Sequence, residues 1–141
     1  MMIDPIEKVL RESKTIAVVG LSNNPARPSY DVAKYLREQG YKIIPVNPTV
    51  SEVLGERSYP DVLSTPEPVD VVDIFRNPDA VPEIVEQAIA KKAKVVWMKP
   101  GAENLQAAER AMQAGLEVLV GVCMMREHRR LQGKTDWASE A

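Results

Sequence analysis

Residues 15–30, TIAVVGLSNNPARPSY, constrain the fold more than any other part of the chain. Ile16-Ala17-Val18-Val19 is a continuous apolar run with β-branched residues, the mark of a strand buried on both faces. Gly20 ends it. Ser22-Asn23-Asn24 follows as a short polar loop, then Pro25 and Pro28, and residues 30–36 have helical spacing with Val32, Ala33 and Leu36 on an inner face. Ser29 is the expected N-cap, its hydroxyl placed to accept from a free amide of the first turn. Strand, polar loop and helix together aim unpaired N–H groups and the positive end of the helix dipole at one point, where an anion, most often a phosphate, fits. The same residues also suit an ordinary strand-to-helix turn that binds nothing.

The remaining segments repeat this alternation. Asp4-Pro5 predicts a short opening helix, Asp as N-cap and Pro at the first helical position, with Ile6, Val9 and Leu10 on one side. Gly40 is expected to stop the first long helix. Residues 41–48 form the second strand, with Pro45 placed near its end because proline is awkward inside a ladder. Residues 50–64 are weakly patterned, with a turn at Gly55 and a short third strand at Ser58-Tyr59. Strands over 69–75, 94–98 and 116–120 alternate with helices over 79–91 and 102–114, and a closing helix covers 123–131. Residues 133–141 are expected to be a frayed tail on a single domain over 1–132. Strands alternating with helices imply a mostly parallel sheet covered on both faces, and right-handed crossovers make it a doubly wound, Rossmann-like α/β fold. The expected strand order is 3-2-1-4-5 with a sixth strand beyond.

Composition narrows the function. A chain of 141 residues, 45% hydrophobic and 27% charged, has the balance of one soluble globular domain. No apolar run approaches a membrane span, and the N-terminus lacks the pattern of a signal peptide. A single cysteine rules out an internal disulfide framework, so a cytoplasmic location is expected. The net charge of −2 offers no footprint for nucleic acid. Any anionic ligand must find its cations locally.

In an open α/β sheet the ligand lies beyond the carboxyl ends of the strands, at the switch point beside the first strand. Three of these rims carry a cation: Arg27, Arg76 and Lys99. Three on one edge, beside a helix N-terminus, favour an anionic ligand. The dinucleotide fingerprint G-x-G-x-x-G is not met, because Gly20-Leu21-Ser22-Asn23-Asn24-Pro25 keeps one glycine of three. The acid that would hold the ribose of NAD at the end of the second strand is replaced by Asn47-Pro48, and there is no P-loop.

Catalytic constellations are scarce. His128, the single histidine, falls in the charged run Arg126-Glu127-His128-Arg129-Arg130 and reads as structural or solvated; it can belong to no two-histidine metal site. Cys123 reads as a small buried residue, although its place between a strand end and a helix start also suits a reactive thiol. Asp73 is expected to cap a loop or pair with a cation. Trp97 and Phe75 read as core or as the walls of a pocket.

The combination IAVVGLSNNPARPSYDVAKYLREQGYKIIPVNP, then VDVVDIFRNPDAVPEIVEQAI and CMMREHRRL, resembles the small stand-alone CoA-binding proteins (the YccU-like group), which are similar to the N-terminal CoA-binding domain of the succinyl-CoA synthetase α-subunit. The resemblance runs from about Ile6 to Leu131. It implies coenzyme A, or an acyl-CoA, bound at the carboxyl edge of the sheet. By position, Gly20, Ser22, Asn23, Arg27, Pro28 and Ser29 hold the diphosphate or its neighbouring groups, and Asn47 and Pro48 lie under the adenosine. Ile74, Phe75 and Arg76 line the path of nucleotide and pantetheine, with Met98 and Lys99 on the far side. No catalytic or metal residue is implied. The phosphohistidine of the synthetase lies in a second domain, so His128 does not inherit its role. The synthetase lysine after the second strand is also missing, with Val50-Ser51-Glu52-Val53 in its place.

Three readings follow: a cytoplasmic CoA-binding protein without catalysis of its own, an NAD(P)-binding redox module, or a subunit that completes an acyl-CoA ligase in trans. A redox variant of the first pairs Cys123 with the CoA thiol in a mixed disulfide. The ligand is a small molecule in each case, and neither nucleic acid nor membrane is an expected partner.

Overall fold

The computed structural model describes residues 4–132. Five parallel strands form its main sheet in the order β2-β1-β5-β6-β7, built from β1 (Thr15–Val19), β2 (Lys42–Val46), β5 (Val71–Ile74), β6 (Val95–Met98) and β7 (Glu117–Val120). Between β2 and β5 stands a small antiparallel hairpin, β3 (Glu52–Val53) and β4 (Glu56–Arg57), turning at Leu54-Gly55. The helices are α1 (Pro5–Glu12), α2 (Pro28–Glu38), α3 (Val81–Lys91, preceded by a 3-10 turn), α4 (Leu105–Gln113) and α5 (Met124–Gln132).

Alternation along each strand feeds two separate cores. Ile16 and Val18, Val71, Val95 and Trp97 pack with Val9 and Leu10 of α1, Val32, Ala33 and Leu36 of α2, and Met124 and Leu131 of α5. Ala17 and Val19, Val72 and Ile74, Val96 and Met98 pack with Ile84, Val85 and Ala88 of α3 and Ala107, Ala108 and Ala111 of α4. Helices therefore cover both faces, as the continuous apolar strands require. The fold is α/β, doubly wound and Rossmann-like.

Several expectations change in detail. The third strand at Ser58-Tyr59 is reduced to one parallel bridge, Val46 to Tyr59, outside β2. Pro45 sits inside β2, paired in register with Val18, rather than where the ladder gives out. The sheet tolerates it because Lys42 and Val46 bond toward β1, through Lys14 and Gly20, whereas Pro45 offers its carbonyl outward to the Tyr59 N–H. Its missing N–H falls on the open edge. Ser29 is not the N-cap of α2; Arg27 holds that place with no side-chain cap, and Pro28 is the first helical residue. Helix α4 begins later than expected, where the Asn104 side chain accepts from the Ala107 N–H. The tail expected over 133–141 lies outside the described residues. Asp4 caps α1 by accepting from Ile6 N–H, and Gly40, at φ 102°, follows the end of α2 as expected.

Candidate functional site

The chain leaves β1 toward β2 on one side and returns to β5 on the other, so the topological switch lies between β1 and β5. At that point the loop after β1 approaches the end of β5 so closely that only glycine fits. A Cβ on Gly20 would lie 2.3 Å from the Phe75 carbonyl oxygen, and its φ of 87° is itself a glycine conformation. The loop is then stitched to α2: the Ser22 N–H donates to Ser29 Oγ at 3.1 Å, and the Asn24 and Ala26 amides are taken by Ser22 Oγ and Asn24 Oδ1. The Asn23 and Ser29 amides find no acceptor among the described residues. Helix α2 thus presents an N-terminus whose first-turn donors are not covered by a side-chain cap.

Two hollows flank this rim because Phe75 and Arg76, consecutive in sequence, point to opposite faces of the sheet. The first, about 300 Å³, is lined by Gly20, Ser22, Arg27, Pro28, Ser29, Phe75 and Lys99. The second, about 270 Å³, is walled by Val46, Pro48, Pro60 and Ile84, with Arg76, Gln87, Asp61 and Glu83 as its polar groups. Arg27, Arg76 and Lys99 make no ion pair among the described residues. Lys99 Nζ lies 5.9 Å from the Phe75 ring centre, inside the first hollow.

The other residues named from sequence are placed differently. Asn47 lines neither hollow; its Nδ2 donates to the Leu21 carbonyl at 3.0 Å and its Oδ1 accepts from Thr49 N–H and Oγ1–H, so it positions the loop after β1. Asn23 is exposed on that loop. Ile74 and Met98 are fully buried in the core under α3 and α4, behind the site rather than on its surface, because at their register both side chains point into the sheet layer. Trp97 is likewise core, its Nε1–H donating to the Val122 carbonyl at 2.7 Å, whereas Phe75 is half-buried and walls the groove.

His128 departs from the solvated half of its expectation. It is 2% exposed, with Nδ1 2.8 Å from the Tyr35 hydroxyl and its ring edge-on to Tyr35 and Tyr41, and burial holds its pKa below the usual histidine value. Only one side of α5 carries the charges of the Arg126–Arg130 run; the histidine faces inward. Cys123 is half-buried at the start of α5, where its carbonyl accepts from the Glu127 N–H.

Asp73 does neither thing expected of it. Among the described residues it caps no loop and makes no ion pair; the residue is 1% exposed, and neither carboxyl oxygen has a hydrogen-bond partner there. Burial pushes its pKa up to about 7, against the pull of Lys99. Its neighbour in sequence behaves oppositely: Asp70, at the other end of the same segment, accepts from the Lys14 and Thr15 amides and pins β1 to β5. The second hollow was also missed from sequence, since Pro60, Asp61 and Val62 come from the weakly patterned stretch and carry no local signal.

Residues 14–129 match the CoA binding domain family, and the chain belongs to it. An uncharacterised protein of Bacillus subtilis, YneT, is 37% identical over 123 residues, 87% of this chain and 91% of that one. The α-subunit of an ADP-forming acetate–CoA ligase from Pyrococcus furiosus is 36% identical over 95 residues, 63% of this chain but 21% of the subunit. A solved structure of a hypothetical protein from Pyrococcus horikoshii superimposes with a TM-score of 0.89 at 48% identity, covering 91% of this chain and 90% of its own. The first and third relatives are small proteins of this chain's length. The ligase shows the same region inside a larger subunit.

Among the described residues no helix is long and apolar enough to cross a membrane, and no cluster of His, Cys, Asp and Glu is arranged to hold a metal ion.

Proposed function

We propose that the chain binds coenzyme A, or an acyl-CoA, along the carboxyl edge of its sheet and performs no catalysis of its own. One observation carries the reading: the N-terminus of α2 opens, without a side-chain cap, into a groove that also holds Arg27 and Lys99. A diphosphate needs amide donors, a positive dipole end and local cations, and this donor set fits it. The Asn23 and Ser29 amides, with Arg27 and Lys99, hold the diphosphate; Gly20 allows the approach. The second hollow, with apolar walls at Val46, Pro48 and Pro60 and with Arg76 beside Asp61 and Glu83, suits the adenosine end of the ligand. Pantetheine supplies a thiol at the far end, and Phe75 offers an apolar wall for its path.

Coenzyme A is favoured over NAD because Ser22 and Pro25 stand where a dinucleotide fingerprint starting at Gly20 needs glycine. The non-catalytic part of the reading rests on the enclosure of His128 by two tyrosines, away from the groove. A cytoplasmic location, a small-molecule ligand and a single domain go with it.

Isothermal titration of ligand-stripped protein tests the reading. CoA is expected to bind, NAD to give no heat of binding, and Arg27→Ala to weaken CoA by about tenfold or more, the worth of a charge-assisted contact. Binding of NAD in place of CoA would refute it.

A further inference from the structure

We propose that ligand binding at this rim is coupled to proton uptake by Asp73, so that the anion site and a buried carboxyl act as a linked pair. The inference rests on the CoA reading of the groove and adds the proton that accompanies the ligand.

Asp73 lies in β5, flanked in register by Val18 and Trp97. Alternation places its side chain on the same face as Val71 and Phe75, the face covered by α1, α2 and α5. A valine or isoleucine would fill such a position without electrostatic cost, and the neighbouring positions of β5 are of that kind. A carboxyl shut away from water with no partner holds a proton far more readily than an exposed one.

One charge opposes that tendency. Lys99 follows β6 and runs over the Phe75 ring, two residues beyond Asp73 on the neighbouring strand, and its ammonium favours the ionised carboxyl. The other charged or titratable groups toward this face include Arg27 before α2, Tyr30 and Tyr35 on α2, Tyr41 before β2, Glu7 and Arg11 on α1, and Cys123 and His128 at α5. Glu7 and Arg11 pair with each other, and His128 is engaged by Tyr35 and Tyr41. Lys99 is the charge that acts on Asp73.

Lys99 also lines the anion groove. A diphosphate seated there cancels the positive field under which Asp73 ionises and adds negative charge nearby. Both changes favour the protonated carboxyl. Burial pushes the carboxyl's pKa up to about 7 in the free chain, so ionised carboxyls ready to take up a proton are present near neutrality. Affinity then falls as pH rises through neutrality, by up to about tenfold per pH unit, the limit for one coupled proton.

Calorimetric titration with 3′-dephospho-CoA at about pH 7.5, in buffers of different ionisation enthalpy, reads this proton; that ligand lacks the phosphomonoester that titrates by itself near pH ~6. The wild-type chain is expected to take up a measurable fraction of a proton per ligand, and Asp73→Asn to bind with the uptake abolished. Binding without uptake in the wild type, or uptake that Asp73→Asn retains, overturns the linkage and leaves the CoA reading standing. Failure of both CoA and 3′-dephospho-CoA to bind overturns the two together. If the variant does not fold, carbon-13 NMR of the wild-type Asp73 carboxyl decides: its titration midpoint rises on adding ligand, and an unmoved midpoint refutes the coupling.

Discussion

Asp73 binds its proton more tightly in the folded chain than in the unfolded one, because burial without a partner raises the pKa to about 7. Its contribution to stability is therefore whole below the ordinary carboxylate range and is lost as pH rises through about 7. Asp73→Asn removes the titration while keeping the shape. Chemical denaturation across pH is expected to show the variant close to wild type near pH ~4 and more stable at pH ~8, by something on the order of 2–4 kcal/mol. Equal stability at both ends would mean that the carboxyl has a partner or a route to water. Gly20 is the opposite kind of residue, fixed by sterics rather than charge. The contact of its missing Cβ with the Phe75 carbonyl explains why a glycine stands there, although the fingerprint glycines that follow it in dinucleotide-binding chains are absent.

Among the elements, α5 shows how a charged sequence can hide a buried anchor. Arg126, Arg129 and Arg130 face outward, while Met124, His128 and Leu131 are buried against α1 and α2. The His128–Tyr35 contact at 2.8 Å joins α5 to α2. Burial lowers the histidine's pKa, so the unfolded chain binds the proton more readily. Stability from this source is whole above the ordinary value of 6.5 and is lost as pH falls below it. Asp73 has the opposite slope over part of the same range, so variants separate the two. Thermal melts are expected to show wild type losing more stability than His128→Gln between pH ~7.5 and ~5.5, with the variant about 1–2 kcal/mol less stable at the upper pH from lost packing and hydrogen bonding. Parallel pH profiles for the two proteins would contradict this account of α5.

The architecture of the whole molecule was legible because each strand is continuously apolar and each helix carries an apolar face; periodicity of those two kinds determines the layers. Pro45 was misplaced because sequence does not reveal which edge of a strand stays open. Ser29 is not the cap because the helix starts at Pro28, two residues earlier than expected, leaving the hydroxyl to accept from Ser22 instead of from its own helix. The groove residues Gly20, Ser22, Arg27, Pro28, Ser29, Phe75 and Lys99 are brought to one place by the switch point. Ile74 and Met98 are not, since strand pleat turns them into the other core. The second hollow depends on the bridge between Val46 and Tyr59, a long-range pairing with no local signature.

The central claim is that a polyanionic nucleotide, coenzyme A, sits across the rim formed by the loop after β1 and the ends of β5 and β6. Adding CoA to nitrogen-15-labelled protein and following the amide resonances tests it directly. The expected shifts concentrate in residues 20–29, at Phe75 and Arg76, and at Lys99, with smaller changes around Pro48 in the amides of Asn47 and Thr49. Shifts confined to the opposite edge of the sheet, near Lys14, Asp70 and Lys94, or no shifts at all, would contradict the account.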